Sequence, residues 1–152
     1  HHYIHTQIED KLYLIEKILK QRQKERGIIF CKTKAGAREL SKLLQAKGFS
    51  VDALEGDMQQ KERDKVMRAF KNEKLQFLVS TDVAARGIDV SNLTFVLHHQ
   101  LPNFINYYTH RSGRTARAGK TGQSIALIIP GEMSKVIDVQ NKLGIKFREM
   151  KM

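Results

Sequence analysis

At 152 residues, 41% of them apolar, the chain has the length and composition of one domain with a buried core, which excludes a disordered tail. Its 27 Lys and Arg against 16 Asp and Glu give a net charge of +11, so nucleic acid or another polyanion is the partner expected on charge. No apolar run approaches bilayer-spanning length, and the opening residues are charged and amphipathic. Neither a membrane role nor a signal peptide is therefore expected.

Ile8, Leu12, Ile15, Ile18 and Leu19 recur at helical spacing and predict a first helix, its polar end closed by Gly27. Gly27 to Cys31 is a short β-branched run that reads as a buried strand. Cys31, the only cysteine, is then an inert structural thiol, and a single cysteine fits a reducing, cytoplasmic setting. Thr33 suits the N-cap of the next helix, with Ala37, Leu40, Leu43 and Leu44 as its core face and Gly48 as its stop. Phe49 to Leu54 predicts a strand, Glu55-Gly56-Asp57 a loop, and Gln59 to Asn72 a helix with Val66, Met67 and Phe70 inward. Strands follow at Phe77 to Val79 and Phe95 to Leu97, with a short helix from Phe104 to Thr109. Ser124 to Ile129 is the most apolar strand and stops at Pro130-Gly131. A last helix covers Met133 to Leu143, and Ile145 to Phe147 predicts an edge strand.

Strands alternating with helices of ten or more residues imply right-handed crossovers and a mostly parallel sheet covered on both faces. The expected fold is a single three-layer α/β domain over residues 1–152, without repeats or an internal linker. In such sheets ligands sit at the carboxyl ends of the strands. Those exits carry the unusual polar residues: Lys32-Thr33-Lys34, then Gly56-Asp57 with Gln60 and Arg63 behind. Next come Ser80-Thr81-Asp82 with Arg86, Gly87 and Asp89, and then Gln100-Leu101-Pro102, which leads to His110-Arg111-Ser112-Gly113-Arg114-Thr115-Ala116-Arg117. That last cluster aims several guanidinium forks at one side of a short helix. Such a set is unfavourable alone and favourable beside phosphate.

The ordered set Gln60-x-x-Arg63, Ser80-Thr81-Asp82 with Ala85-Arg86-Gly87-x-Asp89, and His110-Arg111-x-Gly113-Arg114-Thr115-x-Arg117 resembles the C-terminal RecA-like domain of a DEAD-box RNA helicase. Phe30 with Thr33 resembles the preceding motif of that family, and the likeness runs to about Phe147. Ser112 stands where the family usually has an aliphatic residue and Ala116 where it often has Gly. Neither touches the arginines.

The resemblance implies that Arg114 and Arg117 act as arginine fingers on an ATP held, with its Mg2+, mainly by an N-terminal RecA-like domain absent from this chain. Arginine fingers contribute ~10³–10⁵ in rate, or roughly 4–7 kcal/mol of barrier. It implies further that His110 and Arg111 bridge to the acidic catalytic loop of that domain. Asp89, beside Gly87, would accept hydrogen bonds from the ribose. Thr33, Gly56, Arg63 and Thr81 would hold a single-stranded RNA backbone, while Gln60 supports the loop. Contacts of this kind are independent of sequence and salt-dependent, with a slope of ~2–3 in log K against log salt for three or four of them. Local duplex unwinding is the implied outcome.

Blander roles remain open for two of these residues. Asp89 could pair with Arg86, and His110 could satisfy a backbone carbonyl. Gly119-Lys120-Thr121 lacks the earlier Gly of a phosphate loop and precedes a strand, so it reads as a basic turn. His1, His2, His5, His98 and His99 show no metal-ligand spacing, and no metal site is expected. With no phosphate loop and no Asp-Glu-Ala-Asp sequence, the chain is expected not to hydrolyse ATP alone. Two rival readings are a non-catalytic RNA- or protein-binding RecA-like module and a related DNA translocase. The forms of the Gln60 and arginine motifs disfavour the translocase.

Overall fold

Short runs rich in Ile, Val, Leu and Phe alternate with amphipathic stretches, and this alternation sets the architecture. The computed structural model describes residues 1–86, 88, 93–115 and 122–152. A strand not expected from the sequence, His2–His5 (β1), opens the chain, and a 3-10 turn at Ile8–Asp10 leads into Lys11–Lys20 (α1). There follow Gly27–Phe30 (β2), Lys34–Ala46 (α2), Val51–Leu54 (β3), Gln60–Lys71 (α3) and Phe77–Ser80 (β4). Phe95–His98 (β5), Ile105–Ser112 (α4), Gln123–Ile128 (β6), Met133–Leu143 (α5) and Arg148–Glu149 (β7) complete the described elements. None of these helices is long and apolar enough to cross a membrane.

The seven described strands form one sheet in the order β3-β4-β2-β5-β6-β1-β7, and every described pair is parallel. Alternation along each strand sends side chains to two layers. Ile29, Val79, Leu97, Ile125 and Leu127 face α1 and α2, where they pack on Ile15, Ile18, Leu19, Ala37 and Leu44. Ile28, Leu78 and Val96 face Val66 and Phe70 of α3. Ala126 and Ile128 meet Tyr108 of α4 and Val136 and Val139 of α5. The expected three-layer α/β domain with a parallel sheet is therefore the observed one.

Local chemistry explains the boundaries. Thr33 caps α2, its Oγ1 accepting from the Gly36 amide at 3.0 Å. Gly144, at φ 64°, closes α5 in the left-handed region that glycine occupies without penalty. Two expectations shift. Leu43 is 40% exposed rather than in the core, because Leu40 and Leu44 already hold the inward face of α2. The last strand lies at Arg148–Glu149 instead of Ile145–Phe147, because Phe147 is buried against Tyr108 and the residues after it pair with β1.

Gly27 opens β2 directly beside Phe95 of β5. A Cβ there would stand 2.5 Å from the Phe95 ring, which is fully buried beneath the Arg22 guanidinium. Gly27→Ala is expected to lower stability by about 1–3 kcal/mol through overpacking, read as a reduced urea midpoint at unchanged slope.

Candidate nucleic-acid and phosphate interface

The carboxyl ends of β2, β3, β4 and β5 open on one edge, and the polar residues singled out from the sequence gather there. At the exits of β2 and β3, Lys34 Nζ meets Asp57 Oδ1 at 2.8 Å and joins the two loops. The hydrogen bond and opposite charge raise the Lys34 pKa and lower that of Asp57. Thr33 and Gly56 are exposed on this edge. A Cβ on Gly56 would come within 3.3 Å of the Lys34 stem, so glycine keeps the loop surface open. Beneath it, the 2%-exposed Glu55 accepts from the Asp57 amide at 2.7 Å and lies 3.7 Å from Arg38.

The loop after β4 is held from two sides. Arg63 of α3, half-buried, donates to the Ala84 carbonyl at 2.7 Å, so its fork is partly engaged within the fold. Gln60 donates to Asp64 at 2.8 Å, one turn along α3, rather than to the loop. Thr81 is only 7% exposed, which narrows the access of its hydroxyl to an outside phosphate.

From the other side, Arg111 of α4 grips Asp82 through Nε to Oδ1 at 2.5 Å and Nη2 to Oδ2 at 2.8 Å. Its Nη1 reaches the Gln100 carbonyl at 2.7 Å, and its guanidinium carbon lies 5.2 Å from the Phe30 ring centroid. At 1% exposure Arg111 is enclosed, so the expected reach toward another domain does not match its position. Burial of so large a cation is tolerated only with its hydrogen bonds made, and these partners make them.

His110 is exposed one residue earlier, and Arg114 is half-buried after the helix end. Arg114 donates to Ile88 O at 2.6 Å and to His110 O at 3.2 Å. His110, Arg111 and Arg114 thus share one cavity of about 170 Å³ with Phe30, Asp82, Ala85, Arg86 and Tyr107. Asp82 is paired with Arg111, and Arg86, His110 and Arg114 give the rest of the cavity its basic lining. Gly87, Asp89 and Arg117, and the basic turn at Gly119-Lys120-Thr121, lie outside the described residues.

Asp82 stands in a motif already legible in the sequence, whereas Glu55 and His98 are marked there only by their places at strand ends. Cys31 is buried, and desolvation pushes its thiol up to about 12, in keeping with a structural role. The described residues contain no group of three or more His, Cys, Asp or Glu placed to hold a metal.

Residues 10–119 match the family described as helicase conserved C-terminal domain. The chain is 35% identical over 150 residues to the ATP-dependent RNA helicase CshA of Limosilactobacillus reuteri, covering 99% of this chain and 30% of that protein. A DEAD box protein from the hyperthermophile Methanococcus jannaschii has a similar crystal structure, with a TM-score of 0.92 and 37% identity over 99% of this chain and 41% of that one. For S. cerevisiae Dbp5 bound to RNA and ADP BeF3, the TM-score is 0.90 and the identity 28%, over 99% and 41% of the two chains. The chain spans about a third of the length of the curated relatives it matches.

Two outcomes follow from the site. Asp82→Ala strands the Arg111 charge and is expected to lower stability by about 3 kcal/mol, measured by urea denaturation. Burial, reinforced by nearby Arg111 and Lys11 respectively, lowers the pKa of His98 well below 6.5 and that of His99 to about 4. The unfolded chain then binds more protons than the native one below pH 6.5. This stability is full above that value and falls with pH toward 4. His99 alone is expected to account for a loss of about 2 kcal/mol between pH 7 and 5, so the profile is flatter by about that much in His99→Asn.

Proposed function

We infer the function from membership: this chain belongs to the helicase conserved C-terminal domain family, as the C-terminal RecA-like domain of a DEAD-box RNA helicase. In the proposed cycle it closes on an N-terminal RecA-like domain over ATP and a single RNA strand. Arg114 and Arg117 then face the phosphates as arginine fingers, and closure separates a duplex locally. The observation that carries this reading is the cavity where His110, Arg114 and Arg86 converge beside the Asp82–Arg111 pair.

The cavity tests the fit of ATP. At about 170 Å³ it falls below the ~300–1,000 Å³ of sites that enclose a whole ligand. Its basic lining suits the phosphate end of a nucleotide whose remainder is held elsewhere. Asp89 is proposed to face the ribose from the segment containing Gly87. For Mg2+ the fit is poor, since both Asp82 oxygens are taken by Arg111, and the metal is assigned to the N-terminal domain. A bound ATP supplies the free energy that favours closure. What this chain adds is positive charge held ready where charge develops on the transferred phosphoryl group. By itself it is proposed to be inactive.

RNA is proposed to lie along the other half of the same edge. Thr33 and the Gly56 backbone are exposed to it, Arg63 adds charge, and Thr81 supports the loop from beneath. These groups read phosphate and sugar, which makes binding independent of sequence. Dbp5 bound to RNA and ADP BeF3 is a relative of similar structure and supports this reading.

The test is RNA-stimulated ATP hydrolysis by the protein carrying both RecA-like domains. Arg114→Ala is expected to lower kcat by ~10³-fold or more while ATP still binds. Unchanged hydrolysis would favour the non-catalytic module. In parallel, RNA affinity is expected to fall with salt at a log–log slope of ~2–3. A slope near zero would remove the backbone site.

A further inference from the structure

We propose that His98 is a positioning residue for the arginine cavity: it fixes the guanidinium plane of Arg111, and through it the loop that carries Asp82. The proposal rests on the helicase reading for its functional consequence, and on the geometry of the chain for everything else. His98 ends β5 and is fully buried. Its Nδ1 lies 3.3 Å from Arg111 Nη1 and its Nε2 lies 2.7 Å from Ser124 Oγ. A guanidinium only donates, so Nδ1 is the acceptor and the ring proton sits on Nε2, directed to Ser124. The tautomer is therefore set by its two neighbours.

The ring has little freedom to leave this arrangement. Tyr108 stacks on one side at 5.0 Å and 19°, and Phe30 lies at 6.4 Å and 25°. Ser124 Oγ, the acceptor from Nε2, is itself held at 3.1 Å from both Tyr108 Oη and Ser112 Oγ. Tyr108 and Ser112 belong to α4, the helix that carries Arg111, so the imidazole is referenced to the sheet and to that helix together.

Arg111 uses this support. Nε and Nη2 go to Asp82, and Nη1 divides between the Gln100 carbonyl and His98. Three anchors, Asp82 from the β4 exit and His98 and Gln100 from the end of β5, define a plane, and removal of His98 leaves two. The Asp82 loop also carries the Ala84 carbonyl that receives Arg63 and leads to the Ile88 carbonyl that receives Arg114. A tilt at Arg111 thus shifts the carbonyl against which the proposed finger Arg114 is set.

The experiment reads Arg111 directly, through the exchange of its Nε–H with water by NMR on the full 152-residue chain. His98→Leu removes both hydrogen bonds. His98→Asn keeps an acceptor near the Nδ1 position and gives up only Ser124. Exchange is expected to quicken about tenfold in H98L, the worth of a hydrogen bond to a charged group, and to stay near the unmodified rate in H98N. Equal rates in H98L and the unmodified chain, or equal acceleration in both variants, would overturn the proposal. A merely structural histidine would lower the melting temperature in both variants without separating their exchange rates. If H98L does not fold, Ser124→Ala takes its place, since it removes the acceptor that sets the tautomer. Faster exchange there with slow exchange in H98N supports the assignment, and slow exchange in both defeats it.

The second readout is RNA-stimulated hydrolysis in the two-domain protein. kcat is expected to fall in H98L with KM for ATP and RNA unchanged, and to recover largely in H98N. An unmodified protein without such hydrolysis would defeat the helicase reading and leave the exchange result to decide this one.

Discussion

A cation buried to 1% exposure governs this domain. Arg111 sits under the sheet edge, where an uncompensated charge costs several kcal/mol. Its hydrogen bonds to Asp82, Gln100 and His98 are therefore conditions of folding as much as features of a site. They join the ends of β4 and β5 to α4, three pieces with no local reason to meet. The residues beside them inherit that rigidity: His110 and Arg114, on either side of Arg111, are presented from a helix end that its own neighbour locks.

The edge divides by exposure into outward and inward groups. Thr33, Gly56 and His110 face outward, while Glu55, Thr81, Asp82 and Arg111 are enclosed or nearly so and determine where the outward ones stand. Arg63 and Arg114 belong to both sets, each tied by one hydrogen bond to a backbone carbonyl of the same loop. Two flanks with different proposed ligands thus share a single piece of main chain. A displacement caused by a ligand on one flank has a short covalent route to the other.

The sequence revealed what depends on local pattern. β2, β4, β5 and β6 are dense apolar runs, Thr33 is a cap followed by a helical stripe, and the arginine cluster is unmistakable in composition. Contacts between distant segments were hidden. His98 looked like one of several histidines, and only its neighbours on β6 and α4 give it a tautomer and a task. Arg111 could not be told from Arg114 by type, although one is enclosed and the other half-buried. Leu43 matched the helical stripe, but two neighbours already filled the inward face. β1 escaped because His2–His5 offers four residues and little apolar character; its strand state comes from pairing with β6 and β7.

That first strand governs how the sheet closes and how it bears load. His2–His5 lies between β6 and β7, so the first strand of the domain can pair only once its last two strands are in place. Loop-closure entropy across most of the chain is spent in that one step, which makes it slow. Once closed, the arrangement works as a clasp. Parallel strands place the start of β1 and the end of β7 at opposite edges of the sheet, so tension between them shears the β1–β7 ladder lengthwise instead of peeling it open bond by bond.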